Sequence, residues 1–447
     1  MRSRRLAALA GAAALAVGLV AGCTDEKPGA EPTPIIPTEM TFGVFGPPAE
    51  VGAYRQIVSA WNLDNPGKQV VLSSVADRGE QARALASGAK VPDVFLISRR
   101  DLAQVTTTRV IQPVGDLLDQ PGRDVDFGDG YPIDAVRAFA GDNELQCMPY
   151  GYSPMVIYYN TNLVDFTRME RRGLDVPSKP GHWSFDQFSA AATFASRPAA
   201  RSAGVHIDPT LRALSPFIYS GGGKVFDDES APTSLAFSDG DSQTALATTL
   251  ELLRNPLVTL SDRQLNQRSA LDWFKAGKLG MIAGFRSLTP ELRTTPGLDF
   301  DVMAMPNLGD ERTVGDVTGV CMSKDVQDPE AAADFIYSLS GADAVGKVAA
   351  AGYLVPANLE VAASDAFLQP GQMPATATAF NDSTRDIVLP PVLDVYDELE
   401  AAVAGDLRRL FLPGVLTLDD LDALTTEIDA DSKPVLGPQT ASPSPSP

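Results

Sequence analysis

Charged and aromatic side chains fall together wherever an apolar run of this chain stops. They are Phe45 with Glu50, Asp77 with Arg78, and Ser98 with Arg99, Arg100 and Asp101. Further along come Tyr150, Tyr152 and Ser153, then Arg212 and Tyr219, Phe285 with Arg286, and Asp316. A ring face covers apolar C–H groups, and a carboxylate or guanidinium beside it makes paired hydrogen bonds to neighbouring hydroxyls. That mixture suits a polyhydroxylated solute held without covalent change. Arg99, Arg100, Arg212 and Arg286 in an acidic protein add an expectation of some anionic character in the ligand. Each residue also has a plainer role: a strand-end arginine pairs with a surface carboxylate, and Tyr150 and Tyr152 serve packing.

Bond-breaking chemistry lacks its usual parts. There is no Gly-x-Ser-x-Gly elbow and no His-Glu-x-x-His pair. The chain has 2 His and 3 Cys, too few for the common zinc sets. His182 and His206 fall in polar stretches that read as loops. Among 57 acidic residues carboxylate pairs arise by chance, so a carboxylate-dependent glycosidase is the weaker alternative. Gly221-Gly222-Gly223-Lys224 lacks the Ser or Thr of a phosphate loop and follows no strand, so it reads as a glycine-terminated helix. We therefore expect no enzyme, no cofactor and no metal. A formal charge of −21 argues against nucleic acid as a partner.

The candidates need a scaffold, and the chain supplies an α/β one. Glu39 to Phe45 alternates as a strand, and Ala49 to Asn62 has helical spacing with Tyr54, Ile57, Val58 and Trp61 on one face. Val70 to Val75, a helix over Gly79 to Ser87, and the buried strand Pro92 to Ile97 follow. Strand and helix alternating at this rhythm imply a layered sheet, and ligands of such sheets lie beyond the carboxyl ends of the strands. Ser184 with Gln187 fits a capping box at the start of a helix. Trp61, Trp183 and Trp273 fall on helix faces or helix starts and read as core. Asp419 to Ile428 reads as a last, solvated acidic helix.

The chain is organised around Met148 to Leu163. Pro, Gly and Ser interleave with aromatics up to Pro154, then Met155 to Tyr159 is a buried-strand run closed by Asn160 to Asn162. This reads as a crossing from one domain to another. It resembles the first crossover of the extracellular solute-binding proteins of ABC importers (family 1, the maltose-binding-protein-like, mainly carbohydrate-binding branch). Gly88 to Val94, Val110 to Leu118, Trp183 to Phe188, Asp272 to Arg286, Phe300 to Pro306, Val314 to Ser323, Pro329 to Phe335 and Tyr353 to Pro356 resemble successive elements of that family. The resemblance covers about residues 39–430.

It implies a two-lobed periplasmic-binding-protein fold of type II, with hinge crossovers and a ligand cleft between lobes. It also implies that the loop after Ile97 carries charged ligand contacts, here Arg99, Arg100 and Asp101, and that Ser153 stands at a polar contact of maltose-binding relatives. The implied role is capture of a sugar-like solute by lobe closure and delivery to ABC permease subunits, as a monomer. A solute sensor or envelope partner without transport is the alternative.

The two ends bound this scaffold. Arg2, Arg4 and Arg5, the apolar run Leu6 to Val20 and Val20-Ala21-Gly22-Cys23 form a secretory leader ending in a lipobox-like site. The expectation is a signal peptide over 1–22, lipid on Cys23 as the sole membrane attachment, and a Pro/Gly tether over 23–38. The first lobe is expected over 39–150 and 316–352, the second over 151–315 and 353–432, and a disordered Ser/Pro tail over 433–447. After lipidation only Cys147 and Cys321 remain, a pair that an oxidising compartment would join; two buried thiols are the alternative.

Overall fold

The computed structural model describes residues 38–437 except 124, 128, 142, 143 and 180. The leader, Cys23, the tether up to 37 and residues 438–447 lie outside the described residues. Alternating strands and helices build the first sheet. Thr38–Phe45, Lys68–Val75 and Val94–Ser98 run parallel, joined by the helices Pro48–Asp64 and Arg78–Ala86. Val94–Ser98 is buried at every position, as a strand covered on both faces requires. The helix Pro48–Asp64 turns Tyr54, Ile57, Val58 and Trp61 inward, the face its spacing predicts.

Among the described residues, five more strands complete this eight-stranded sheet, two of them the short Ile111–Gln112 and Ile387–Val388 beside Thr313–Ser323. Thr313–Ser323 pairs with Val94–Ser98 on one side and Cys147–Pro154 on the other, and Val355–Pro356 lies along the latter. Cys147 and Cys321 are opposed in this ladder and joined as a disulfide. Their Cα separation of 4.4 Å is that of directly facing antiparallel residues.

The second sheet has the order Phe300–Met303, Val156–Asn160, Leu279–Gly284, Ala203–His206. Met155 alone separates the last strand of one sheet from the next strand of the other. The crossing expected at 150/151 therefore falls at Met155. Gly151 is no bend: a Cβ there would stand 3.2 Å from the Val355 carbonyl, so glycine admits the neighbouring strand. The return also comes earlier than residue 315, because all of Thr313–Ser323 belongs to the first sheet. The amide of Met155 donates to the Val314 carbonyl at 2.9 Å, so the outgoing and returning chain leave the sheet side by side.

The third passage comes later than Tyr353. Val355–Pro356 still belongs to the first sheet; the chain then meets Arg286 at Phe367 and reaches the second sheet at Met373, whose sulfur accepts the Phe300 amide at 3.4 Å, and at Thr376 and Phe380. There Thr376 donates to Asp301 at 2.9 Å, and Phe380 packs 6.1 Å from Tyr158.

A helical layer completes the second lobe. Leu211–Ser220, Gly240–Leu253, Tyr396–Leu410 and Leu418–Leu436 share one core, with Leu214, Ile218, Leu246 and Leu250 against Leu399, Val403, Leu407, Leu421 and Ile428. The last helix is thus not a solvated appendage. It continues through Leu436, so residues 433–436 are helix rather than tail, and Asp429 accepts the amides of Phe237 and Ser238 at 2.7 and 2.9 Å. The capping box of Ser184 and Gln187 is present, and Leu211–Ser220 ends at Gly221 as its glycines predict. His206 is the buried last residue of a strand, not a loop residue, and faces Asp208 at 3.0 Å.

Candidate functional site

The carboxyl ends of the parallel strands open on one side, and most charged candidates gather there. Ser98 ends its strand opposite Thr318, which puts Asp316 just beyond it on the neighbouring strand. The Ser98 hydroxyl donates to Asp316 at 2.5 Å and accepts the Arg100 amide at 3.1 Å. Arg99, Arg100 and Asp101 form one turn after that strand. Arg99 donates to the Pro390 carbonyl at 2.6 Å, and Arg78 meets Asp101 at 2.5 Å. Burial outweighs Arg78 at Asp101 and pushes its carboxyl up to about 6.

The second lobe supplies the facing wall. Arg212, in the first turn of Leu211–Ser220, lies over the Phe285 ring at 4.1 Å. Burial loosens its proton, while Asp316 acts in the opposite sense. The first turn of Tyr396–Leu410 brings Tyr396 under Arg100 at 4.8 Å, and Asp397 to 3.3 Å from Arg100 and 3.6 Å from Arg78. Between the two sides runs a groove of about 430 Å³, lined by Arg78, Arg100 and Asp101 on one side and Tyr396 and Asp397 on the other. Ring faces, guanidiniums and carboxylates thus converge from both lobes, which can hold a neutral polyol by stacking and bidentate hydrogen bonds.

A second group sits beside this cluster on the first lobe. Gly46 has φ +142°, and a Cβ there would stand 2.6 Å from a Glu50 carboxylate oxygen, so only glycine leaves room for that carboxyl. Tyr54 is one helical turn on from Glu50, and its ring lies 6.1 Å from Tyr150. Both hydroxyls are buried and interact with each other. Burial pushes the Glu50 carboxyl up to about 7, from an ordinary 4.5.

A carboxyl whose folded value is raised is stabilised in its neutral form. Its contribution is therefore full below about pH 4.5 and is lost as pH rises through about 7. Glu50→Gln, neutral at every pH, is expected to melt with the parent at pH 5. At pH 8 it should be more stable by about 2 kcal/mol, discounted for the carboxyl's partial exposure. Thermal melts at the two pH values measure this, and equal curves at pH 8 would refute the raised carboxyl.

Several expected contacts are placed elsewhere. Arg286 does not face the groove: it is fully buried with its guanidinium between Phe367 and Phe380, at 4.8 and 5.0 Å, and donates to the Phe367 carbonyl at 3.2 Å. Asp77 caps Arg78–Ala86 by accepting the Glu80 amide at 2.8 Å. Tyr219 commits its hydroxyl to Glu229 at 2.9 Å. Tyr150 and Tyr152 are buried, Phe45 packs against the first core, and Ser153 lies opposite Asp316 in the ladder. Tyr396 and Asp397 were not expected; an aromatic–acidic start to a helix was their only sequence signal, and their partner Arg100 lies 297 residues before Asp397. Among the described residues no group of three His, Cys, Asp or Glu could hold a metal ion, and no helix is long and apolar enough to cross a membrane.

The sequence profile of the bacterial extracellular solute-binding proteins matches residues 56–375. No curated protein matches the chain. Among solved structures, an ABC substrate-binding protein of Listeria monocytogenes in complex with cycloalternan is similar with a TM-score of 0.73 at 20% identity, covering 90% of this chain and 99% of that one. The sugar-binding protein MalE of Xanthomonas citri gives 0.72 at 16% identity, over 90% and 98% of the two chains. The maltotriose-binding protein of Thermus thermophilus, bound with maltotriose, gives 0.66 at 15%, over 89% and 100%. At these identities the likeness speaks for the fold, which is the two-lobed, MalE-like one.

Proposed function

The chain belongs to the bacterial extracellular solute-binding protein family, and on that premise we propose that it captures a carbohydrate-like solute between its lobes for an ABC importer. The leader and Cys23 support a lipid-anchored position outside the cytoplasm, and delivery to permease subunits follows from the family. The observation that carries the reading is the convergence of Ser98, Arg100, Asp101 and Asp316 with Arg212, Phe285 and Tyr396 from the facing wall. The groove needs no acid–base pair, because capture requires only that the closed state bind solute better than the open one.

The ligands of the similar structures, cycloalternan and maltotriose, carry over here as a class: a neutral oligosaccharide. With Arg286 withdrawn, Arg78, Arg83, Arg99, Arg100 and Arg212 stand against Asp101, Asp316, Asp394, Asp397 and Glu398, so the site has no surplus of positive charge for an acidic or phosphorylated sugar. Thermal-shift screening against neutral and anionic saccharides tests this. The expected result is stabilisation by a neutral oligosaccharide, with calorimetry giving micromolar affinity; stabilisation by anionic sugars alone would overturn the choice. A sensor without transport shares this site, and loss of solute uptake on deletion of the gene separates the two.

A further inference from the structure

A second cluster of arginines lies at the other end of the second lobe. Arg168, Arg172 and Arg197 place their guanidinium carbons 6.0, 5.1 and 5.5 Å from the centre of one ring, Phe194. Three positive charges thus surround one point in a protein of net charge −21. They line a groove of about 790 Å³ that also presents Ser189 and Thr193. Carboxylates compensate them only in part. Asp165 stands 3.9 Å from Arg168, Asp186 lies on the groove wall, and Arg197 donates to the Leu163 carbonyl at 2.9 Å. Arg172 is exposed, and no ion pair involves it among the described residues. Burial first, and then the charges of Arg168 and Arg172, loosen the proton of Arg197, with Asp165 acting in the opposite sense.

The position is remote from the solute groove. Phe285 leaves Leu279–Gly284 at its carboxyl end, whereas Arg197 follows the helix Phe185–Ala195 next to the start of Ala203–His206, where Ala203 pairs with Leu279. The length of a six-residue strand, roughly 20 Å, separates the two ends of the sheet.

We propose that this groove is an anion site for phosphoryl groups, independent of solute capture. Planar guanidiniums gathered around one ring offer forked donors to the paired oxygens of a phosphoryl group, and hydroxyls beside them add further donors. The same chemistry is offered by a phospholipid headgroup at a membrane surface or by a soluble phosphate compound.

The test uses the full-length, lipid-bearing protein and its Arg168→Ala/Arg172→Ala variant. That pair leaves Arg197 and its carbonyl bond in place, and an unchanged melting temperature checks the fold. Calorimetry with inorganic pyrophosphate should show saturable binding in the parent that weakens at least about tenfold in the variant. Flotation with phosphatidylglycerol and phosphatidylcholine vesicles reads the source, since the lipid anchor contributes equally to both. A phosphatidylglycerol preference lost in the variant assigns the headgroup, whereas pyrophosphate binding with no vesicle preference assigns a soluble phosphate. No pyrophosphate binding in the parent, or equal binding in the variant, overturns the site; loss of neutral-saccharide binding in the variant would overturn its independence from the solute groove.

Discussion

Arg212→Ala is expected to weaken solute binding at least about a hundredfold, equivalent to about 2.7 kcal/mol. Its guanidinium covers the Phe285 ring at 4.1 Å and lies within electrostatic reach of Asp316. Truncation removes charge-assisted donors worth about 1.5–3 kcal/mol each and bares a ring face. It also leaves Asp316, already held by Ser98 at 2.5 Å, without its cation on the second lobe. Phe285→Ala, which keeps the charge, is expected to lose about tenfold through ring contact alone. Calorimetry with the saccharide found by screening measures both, with melting curves as the check on folding. A loss below threefold for Arg212→Ala would remove that residue from the site while leaving the fold untouched.

Replacing both cysteines, Cys147→Ala/Cys321→Ala, is expected to give the largest change in stability. The bond spans 174 residues of chain, and a loop of that length corresponds to about 5 kcal/mol of unfolded-state entropy in the chain-entropy model. Both residues are fully buried in a central ladder, so alanine adds the loss of two packed sulfurs. For a chain of this size the melting temperature should fall by about 5–10 °C. Differential scanning calorimetry reads the shift, and a fall under 2 °C would mean that the unlinked chain is already restrained. The bond sits at the opposite end of the ladder from Met155, so solute affinity is expected to stay within a factor of three.

The sequence shows best those elements whose signals are local. The period of Pro48–Asp64, the apolar run of Val94–Ser98 and the capping box at Ser184 each specify an element without distant help. Arg99 to Asp101 follow directly from a strand end; Arg100 and Asp101 line the groove, while Arg99 turns to the Pro390 carbonyl. The misreadings involve partners far away in sequence. Arg286 follows a strand, a glycine and an aromatic, and so looks like a rim residue; its stacking partners Phe367 and Phe380 come from a stretch about eighty residues later. Pro149 and Gly151 look like a bend in the sequence, which draws the expected crossing toward 150/151. In the fold both are strand residues, accommodated by a register shift opposite Thr318 and Gly319. Tyr396 and Asp397 carry no local mark of a groove, since only the packing of the final helices onto Leu211–Ser220 brings them there.

That packing sets an order of assembly. The core under Leu211–Ser220 and Gly240–Leu253 is filled by Leu399, Val403, Leu407, Leu421, Ile428 and Leu436, so it has no inner wall until the final stretch of polypeptide has been made and exported. A premature stop codon shortly before Tyr396 would remove the hydrophobic wedge and the Tyr396–Asp397 part of the groove's facing wall together. The messenger's codons for Tyr396 to Leu436 therefore decide whether the second lobe closes on a filled core.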